Sequence, residues 1–319
     1  MKAIRVYEFG GIDSLQYEDI PRPVPGEGQV LIQVRAAGVG PWDALVREGH
    51  SALPQPLPLT PGSDVAGIVA EVGSGVTAFQ PGEAVFGVTN ARFTGAYAEY
   101  ALADVNRIAL KPELLDFIEA ASVPVVGVTA WQMVFEKGGI RYPGLDGGTK
   151  RVLVQGAGGN VGAFVVQFAK RAGAIVYATA LASDLEYVHS LGADQVIDTE
   201  TTRFEDRVRD MDVVFDTVGG EILTRSFTVL KPGGILVSSV ALPDPDIAAS
   251  RNVQGIFFLV NVTSECLREI AAFLDTDAIR TRVGDVLPLS EARQAHEMLA
   301  GKPHLPGKIV LTFFEDGKS

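Results

Sequence analysis

The segment that most narrows the choice of fold runs from Val152 to Ala172. An apolar strand-like stretch, Val152-Leu153-Val154-Gln155, enters the cluster Gly156-Ala157-Gly158-Gly159-Asn160-Val161-Gly162. Beyond it Val161, Phe164, Val165, Phe168, Ala169 and Ala172 recur at helical spacing and form one apolar face. Strand, glycine turn and helix in this order make the first half of a βαβ unit. Further strand-like runs at 174–179, 195–197, 212–216 and 234–238 alternate with helical patterns. The expectation is an α/β unit with a doubly wound parallel sheet of the Rossmann type.

In that context the glycines have a chemical reading. They let the chain turn sharply and let backbone N–H groups at the helix N-terminus approach a pyrophosphate. Gly156, Gly158, Gly159, Asn160 and Val161 are therefore candidate dinucleotide contacts, with alanine at the first position of the spacing Ala157-x-Gly159-x-x-Gly162. A tight turn that binds nothing is the plainer alternative. Val218, Gly219 and Val240 follow two later strands, at the carboxyl ends where ligands sit in open α/β sheets.

The second strand bears on which dinucleotide is used. It ends without an acid at Ala180, and an acid there would repel a 2′-phosphate, so NADPH is expected over NADH. Ser183 and Tyr187 could donate hydrogen bonds to that phosphate. Against this, no lysine or arginine lies between Arg171 and Arg203, and Asp184 is close by.

The first 120 residues have a different texture, with short β-type runs at 30–36, 65–72 and 84–88 separated by Gly and Pro. Residues 53–62 hold four prolines and read as an extended loop. Near the end, Pro288-Leu289-Ser290 introduces a short helix with Ser290 as candidate cap, and Gly307-Lys308-Ile309-Val310-Leu311 reads as a closing strand.

Composition excludes several classes. A net charge of −12 with no basic run argues against a nucleic-acid partner. The uncharged stretch 152–169 holds four glycines and reads as strand, loop and helix rather than a membrane span. With charges inside the first eight residues, no secretory signal is expected, and a cytoplasmic location is the default. The single cysteine, Cys266, cannot form an internal disulfide and reads as a buried filler.

Together these motifs resemble the medium-chain dehydrogenase/reductase superfamily, in its zinc-free quinone oxidoreductase and alkenal reductase branch. The resemblance is carried by Ala36-Ala37-Gly38-Val39 with Asp43 and Arg47-Glu48-Gly49, by Pro61-Gly62-Ser63-Asp64-Val65-Ala66-Gly67, and by Pro81-Gly82-Glu83-Ala84-Val85. Gly95-Ala96-Tyr97-Ala98-Glu99-Tyr100, Thr129-Ala130-Trp131, Leu191-Gly192-Ala193-Asp194 and the closing strand complete it. It implies a GroES-like substrate domain over 1–122, completed by 275–319, and a Rossmann domain over 123–274. In the zinc enzymes of that superfamily a Cys stands at the position of Gly40 and a His at that of Ser63, so no zinc is expected here. Relatives often carry Asn at the position of Gly40. Gly40-Pro41-Trp42 departs from that, leaving Trp42 either to line the pocket or to pack internally.

Without zinc or a Tyr-x-x-x-Lys arrangement, reduction of a simple ketone would lack both a Lewis acid and a placed proton donor. A quinone or an α,β-unsaturated carbonyl delocalises the charge that hydride addition leaves, and is the expected acceptor. Gly40, Trp42, Tyr97 and Phe258 are pocket candidates, and Thr129 and Phe257 are candidate contacts to the nicotinamide side. The apolar run 255–260 reads as an exposed sheet edge that invites a homodimer. Two other readings stay open: a non-catalytic NADPH-binding redox sensor, and an enoyl reductase of a biosynthetic pathway.

Overall fold

The structure, a computed structural model, describes residues 1–141, 149–276 and 278–313. The chain forms two compact units: Met1–Val125 with Asn261–Ser319, and Val126–Val260.

The second unit is built on six parallel strands. In spatial order they are Gln195–Asp198, Ile175–Ala180, Arg151–Gln155, Met211–Asp216, Leu230–Ser238 and Gln254–Phe257. The first strand in sequence, Arg151–Gln155, lies in the middle, and the order reverses beside it. That is the doubly wound arrangement, whose switch point lies at the carboxyl ends of Arg151–Gln155 and Met211–Asp216. Both strands are apolar and almost wholly buried, as strands covered on both faces must be. The helix Asn160–Arg171 turns Phe164, Val165, Phe168 and Ala169 inward.

The fifth strand begins earlier than the sequence pattern suggests. Leu230 already pairs with Met211, and the ladder then shifts register before Val213 pairs with Ile235. Residues 231–234, which read as a turn, are absorbed as this irregularity. The edge strand ends at Phe257, so Phe258 and Leu259 lie beyond it.

The first unit centres on the long strand Gln29–Val39. A seven-stranded sheet runs in the order Val283–Pro288, Lys308–Thr312, Gln29–Val39, Asp64–Val72, Ala84–Val88 and Ile108–Leu110, with Tyr100–Asp104 also paired to Gln29–Val39. Lys2–Arg5 and Gln16–Asp19 pair as a separate two-stranded sheet, with Ile4 and Leu15 packed into the same core. The core joins Val30, Ile32 and Val34 to Val65, Val69, Val85, Ile309 and Leu311. The closing strand therefore completes a core begun at Ile4, near the other end of the chain.

The chain returns to this unit at Asn261, before the 275 that the resemblance implies. The helix Ser264–Leu274 explains the difference: the Ser264 hydroxyl donates to the carbonyls of Val105 and Ile108. Cys266 on that helix is part-exposed rather than buried. Ser290 does not cap the last helix. It lies in a 3-10 turn, Leu289–Glu291, ahead of Ala292–Leu299, which has no side-chain cap. Among the described residues no helix is long and apolar enough to cross a membrane.

Candidate functional site

In the second unit the glycine loop lies at the switch point of the sheet. A Cβ on Gly162 would collide with the carbonyl oxygen of Gly156 and come within 2.8 Å of the Ala157 Cα, so this position accepts only glycine. Gly156 has φ +75°, and a side chain there would also meet Thr217 Oγ1 at 2.7 Å and Val218 at 2.8 Å. The helix starts at Asn160 with Gly159 as its cap and no side-chain acceptor. Its first-turn N–H groups lack intrahelical partners, as in any α-helix, and suit an anion.

Buried polar groups hold this loop from beneath. The Thr179 hydroxyl donates to Gln155 Oε1 at 2.7 Å and accepts the Gly156 N–H at 3.1 Å. Gln155 Nε2 donates to Ser226 Oγ at 3.1 Å, and the Thr217 hydroxyl donates to the Gln155 carbonyl at 2.8 Å. Asp216, fully buried, accepts from the N–H groups of Val218 and Gly219 and from the Ser238 hydroxyl. Ser238 Oγ in turn accepts from the N–H groups of Val240 and Ala241. One carboxylate thus fixes the turns after two neighbouring strands. Sequence reading named Val218, Gly219 and Val240 but missed Asp216 and Ser238; an aspartate three residues before a glycine turn was the available signal.

Val218 and Val240 are about half exposed, 51% and 48%, as ligand-facing apolar groups would be. Gly219 packs against Val240. Phe257 is exposed at the end of its strand, and Phe258 is half-buried beneath the Lys137 ammonium. Ala180 is buried, Ser183 is exposed and Tyr187 is half-buried. Thr129 is nearly buried within the helix Pro124–Trp131.

In the first unit, Gly40 follows the central strand Gln29–Val39 and caps the helix Pro41–Glu48, which Pro41 starts. The Trp42 indole folds back onto Gly40, where any Cβ would be driven into the ring. Its Nε1–H donates to Ser63 Oγ at 3.0 Å. The Lys308 ammonium lies 4.1 Å from the centre of the ring and 2.9 Å from Asp64 Oδ2. Lys308 and Asp64 are 2% and 0% exposed, and Asp64 Oδ1 also accepts the Val125 N–H at 3.1 Å. Trp42 therefore both packs and keeps a part-exposed surface.

Tyr97 departs from expectation. It is wholly buried, and its hydroxyl donates to Asp43 Oδ2 at 3.0 Å, so it is a core residue and not a substrate contact. Asp43 Oδ2 also accepts the Gly40 N–H at 2.8 Å. Burial, above all, pushes the Asp43 carboxyl up to about 7. His296 is equally withdrawn: Arg47 donates to its Nδ1 at 2.7 Å, and burial with the Arg47 charge pushes it down to about 3.

These residues do not fit a zinc ion. Gly40 and Ser63 stand where the resemblance places two ligands, and the indole bridges them. No group of three His, Cys, Asp or Glu side chains that could hold a metal occurs among the described residues. The glycine loop, by contrast, fits a dinucleotide.

Comparison with known proteins agrees with this geometry. Residues 26–113 match the alcohol dehydrogenase GroES-like domain family, and residues 191–311 match the zinc-binding dehydrogenase family. The quinone oxidoreductase of Sus scrofa is 32% identical, with 98% of this chain and 97% of that protein covered. An NADPH-dependent alkenal/one oxidoreductase of Arabidopsis thaliana is 34% identical, covering 98% and 79%. The solved quinone oxidoreductase of Coxiella burnetii superposes with a TM-score of 0.87 at 30% identity, covering 98% and 99%. The chain belongs to the medium-chain dehydrogenase/reductase superfamily, among its quinone oxidoreductases and alkenal/one oxidoreductases. It is an oxidoreductase with a GroES-like domain and a Rossmann domain, of a family that uses a nicotinamide cofactor.

Proposed function

We propose that this protein transfers hydride, without zinc, from a nicotinamide dinucleotide to a quinone or an α,β-unsaturated carbonyl. The observation that carries the reading is the indole of Trp42, packed on Gly40 and tied to Ser63 where two metal ligands would stand. Neither position offers a thiolate or an imidazole, so a Lewis acid has no place to be held there. Tyr97 is buried on Asp43 and cannot protonate a substrate. An acceptor that spreads its own developing charge needs neither aid. The bound cofactor would supply the hydride; Gly156, Gly158, Gly159 and the first turn of Asn160–Arg171 would hold its pyrophosphate. The uncharged strand end at Ala180 favours NADPH, while the side chains of the turn beyond it favour NADH.

The exposed edge strand Gln254–Phe257 supports a homodimer paired through that edge, which light scattering would read as twice the chain mass. The test of the reaction follows oxidation of reduced nicotinamide at 340 nm by EDTA-treated protein, with a quinone and a small enone in parallel. Turnover of either, unchanged by added zinc, is expected. Efficient zinc-dependent interconversion of simple alcohols and ketones would overturn the reading. Tight dinucleotide binding with no turnover over a broad acceptor panel would move it to a redox sensor.

A further inference from the structure

We propose that the first unit carries a second ligand site, a pocket for a small apolar 2-hydroxy acid, with Arg5 taking its carboxylate and Gln55 its hydroxyl. The pocket has a volume of about 330 Å³, within the range of small-molecule sites. Gly40, Trp42 and Ser63 do not line it. Gly95 and Ala98 form part of its wall, while Tyr97 between them is wholly buried in the core. The site is therefore separate from the cluster around Gly40, and the inference does not depend on the reaction proposed above.

Two buried polar atoms point to a ligand. Arg5 donates from its terminal nitrogens to Thr60 Oγ1 and to the Pro58 carbonyl, both at 3.2 Å, and its Nε–H has no partner. Glu18 stands 4.0 Å from that nitrogen and accepts the Tyr7 hydroxyl at 2.6 Å instead. Gln55 Nε2 donates to the Arg92 carbonyl at 2.9 Å and to Ser51 Oγ at 3.0 Å. Those bonds fix the orientation of the amide and leave Oε1 buried and unpartnered. A donor and an acceptor left unsatisfied in one pocket match an acceptor and a donor carried side by side on one molecule. Among the described residues that line the pocket, Arg5 has the only charged side chain. The acceptor is accordingly an anion, and a carboxylate suits the planar guanidinium. No acid lines the pocket to offset an ammonium, so the donor facing Gln55 is a neutral hydroxyl and not the amino group of an amino acid. Ile20, Pro23, Leu59 and Tyr100 supply apolar wall for a short hydrocarbon tail.

The experiment titrates 2-hydroxy-4-methylpentanoate into the full-length protein by calorimetry, without dinucleotide. Two analogues run beside it: 4-methylpentanoate, which lacks the hydroxyl, and leucine, which has an ammonium in its place. The hydroxy acid is expected to bind saturably with Kd below about 1 mM. The hydroxyl-free acid should bind at least about fivefold more weakly, and leucine more weakly still. Gln55→Leu should lower the hydroxy acid to the level of 4-methylpentanoate and leave the latter unchanged, a pattern that general damage to the loop would not give. Arg5→Gln should remove binding of both acids; should that variant fail to fold, the Gln55→Leu pattern decides alone. Saturating hydroxy acid should leave the affinity for reduced nicotinamide dinucleotide unchanged, and displacement of the dinucleotide would overturn the inference by placing the acid in its site. Absence of saturable binding, equal affinity for the hydroxy acid and 4-methylpentanoate, or binding that neither substitution alters would overturn it as well.

Discussion

Replacing Lys308 with methionine isolates the charge hidden beneath Trp42. The side chain keeps its approximate length, so the packing against the indole largely survives while the ammonium is lost. Asp64 then remains 0% exposed with a single hydrogen-bond donor, the Val125 N–H. Removing one partner of a buried ion pair costs about 3–5 kcal/mol, because the other charge is left unpaired. Loss of the cation over the indole adds about 0.5–2 kcal/mol. For a unit of this size that lowers Tm by roughly 10 °C. The pH dependence carries the diagnosis. Burial already raises the Asp64 carboxyl, and Lys308 is what pulls it down. Without Lys308 it rises further, so the neutral form favours folding. That stability is fully present below the unfolded carboxyl value and is lost as pH rises through the higher folded value. Lys308→Met should therefore be least stable at neutral pH and recover toward pH 4. Chemical melts across pH 4–8 would show it. Asp64→Asn combined with Lys308→Met should regain most of the loss, a coupling above about 2 kcal/mol. If the single change costs under about 1 kcal/mol, or the double variant is no better than the single, the electrostatic account is wrong.

Three further outcomes follow from the same geometry. The Asp43 carboxyl titrates in the folded state at about 7, against an ordinary value of 3.8, because it is buried. Its stabilising contribution is complete below pH ~4 and lost by pH ~7, at about 1.4 kcal/mol per pH unit. Asp43→Asn should remove that part of the slope in denaturant melts, and an unchanged slope would refute the assignment. Gly40→Ala should push the Trp42 indole off Ser63 and Lys308, cost about 1–3 kcal/mol and shift tryptophan emission, with Trp42→Ala restoring stability; an unchanged emission would show the ring is not seated there. Gly162→Ala should weaken dinucleotide binding at least tenfold, and wild-type affinity in calorimetry would count against the loop as the pyrophosphate site.

How much of this was legible beforehand depended on distance along the chain. The strand Arg151–Gln155 and its glycine loop were readable because the signal is local: apolar run, glycines, helical period. The strand Leu230–Ser238 reads shorter from sequence because Lys231-Pro232-Gly233-Gly234 carries every mark of a turn, and only pairing of Leu230 with Met211 makes it a register shift. The edge run reads on to Val260 for the opposite reason, since apolar character continues past Phe257, where the strand ends. Tyr97 reads as a pocket residue because nothing in the segment around it, ahead of the strand Tyr100–Asp104, reveals that Asp43, 54 positions earlier, receives its hydroxyl.

The cluster around Gly40 shows the same limit in a sharper form. From sequence, Gly40 is a vacancy, a place where relatives carry a polar contact and zinc enzymes a ligand. In the fold it is a requirement of Trp42 two residues on, whose ring needs the volume that any side chain would take. The ring is then placed by Ser63 and Lys308, 21 and 266 residues away, and Lys308 is held by Asp64, the neighbour of Ser63. Gly40, Trp42, Ser63, Asp64 and Lys308 are consequently one unit, and restoring a single ligand cannot restore a metal site. A cysteine at position 40 would meet the indole, and a histidine at 63 would displace the hydroxyl that holds it. On this argument the absence of zinc ligands is a packing solution shared by five residues, and reversing it would require changing Trp42 first.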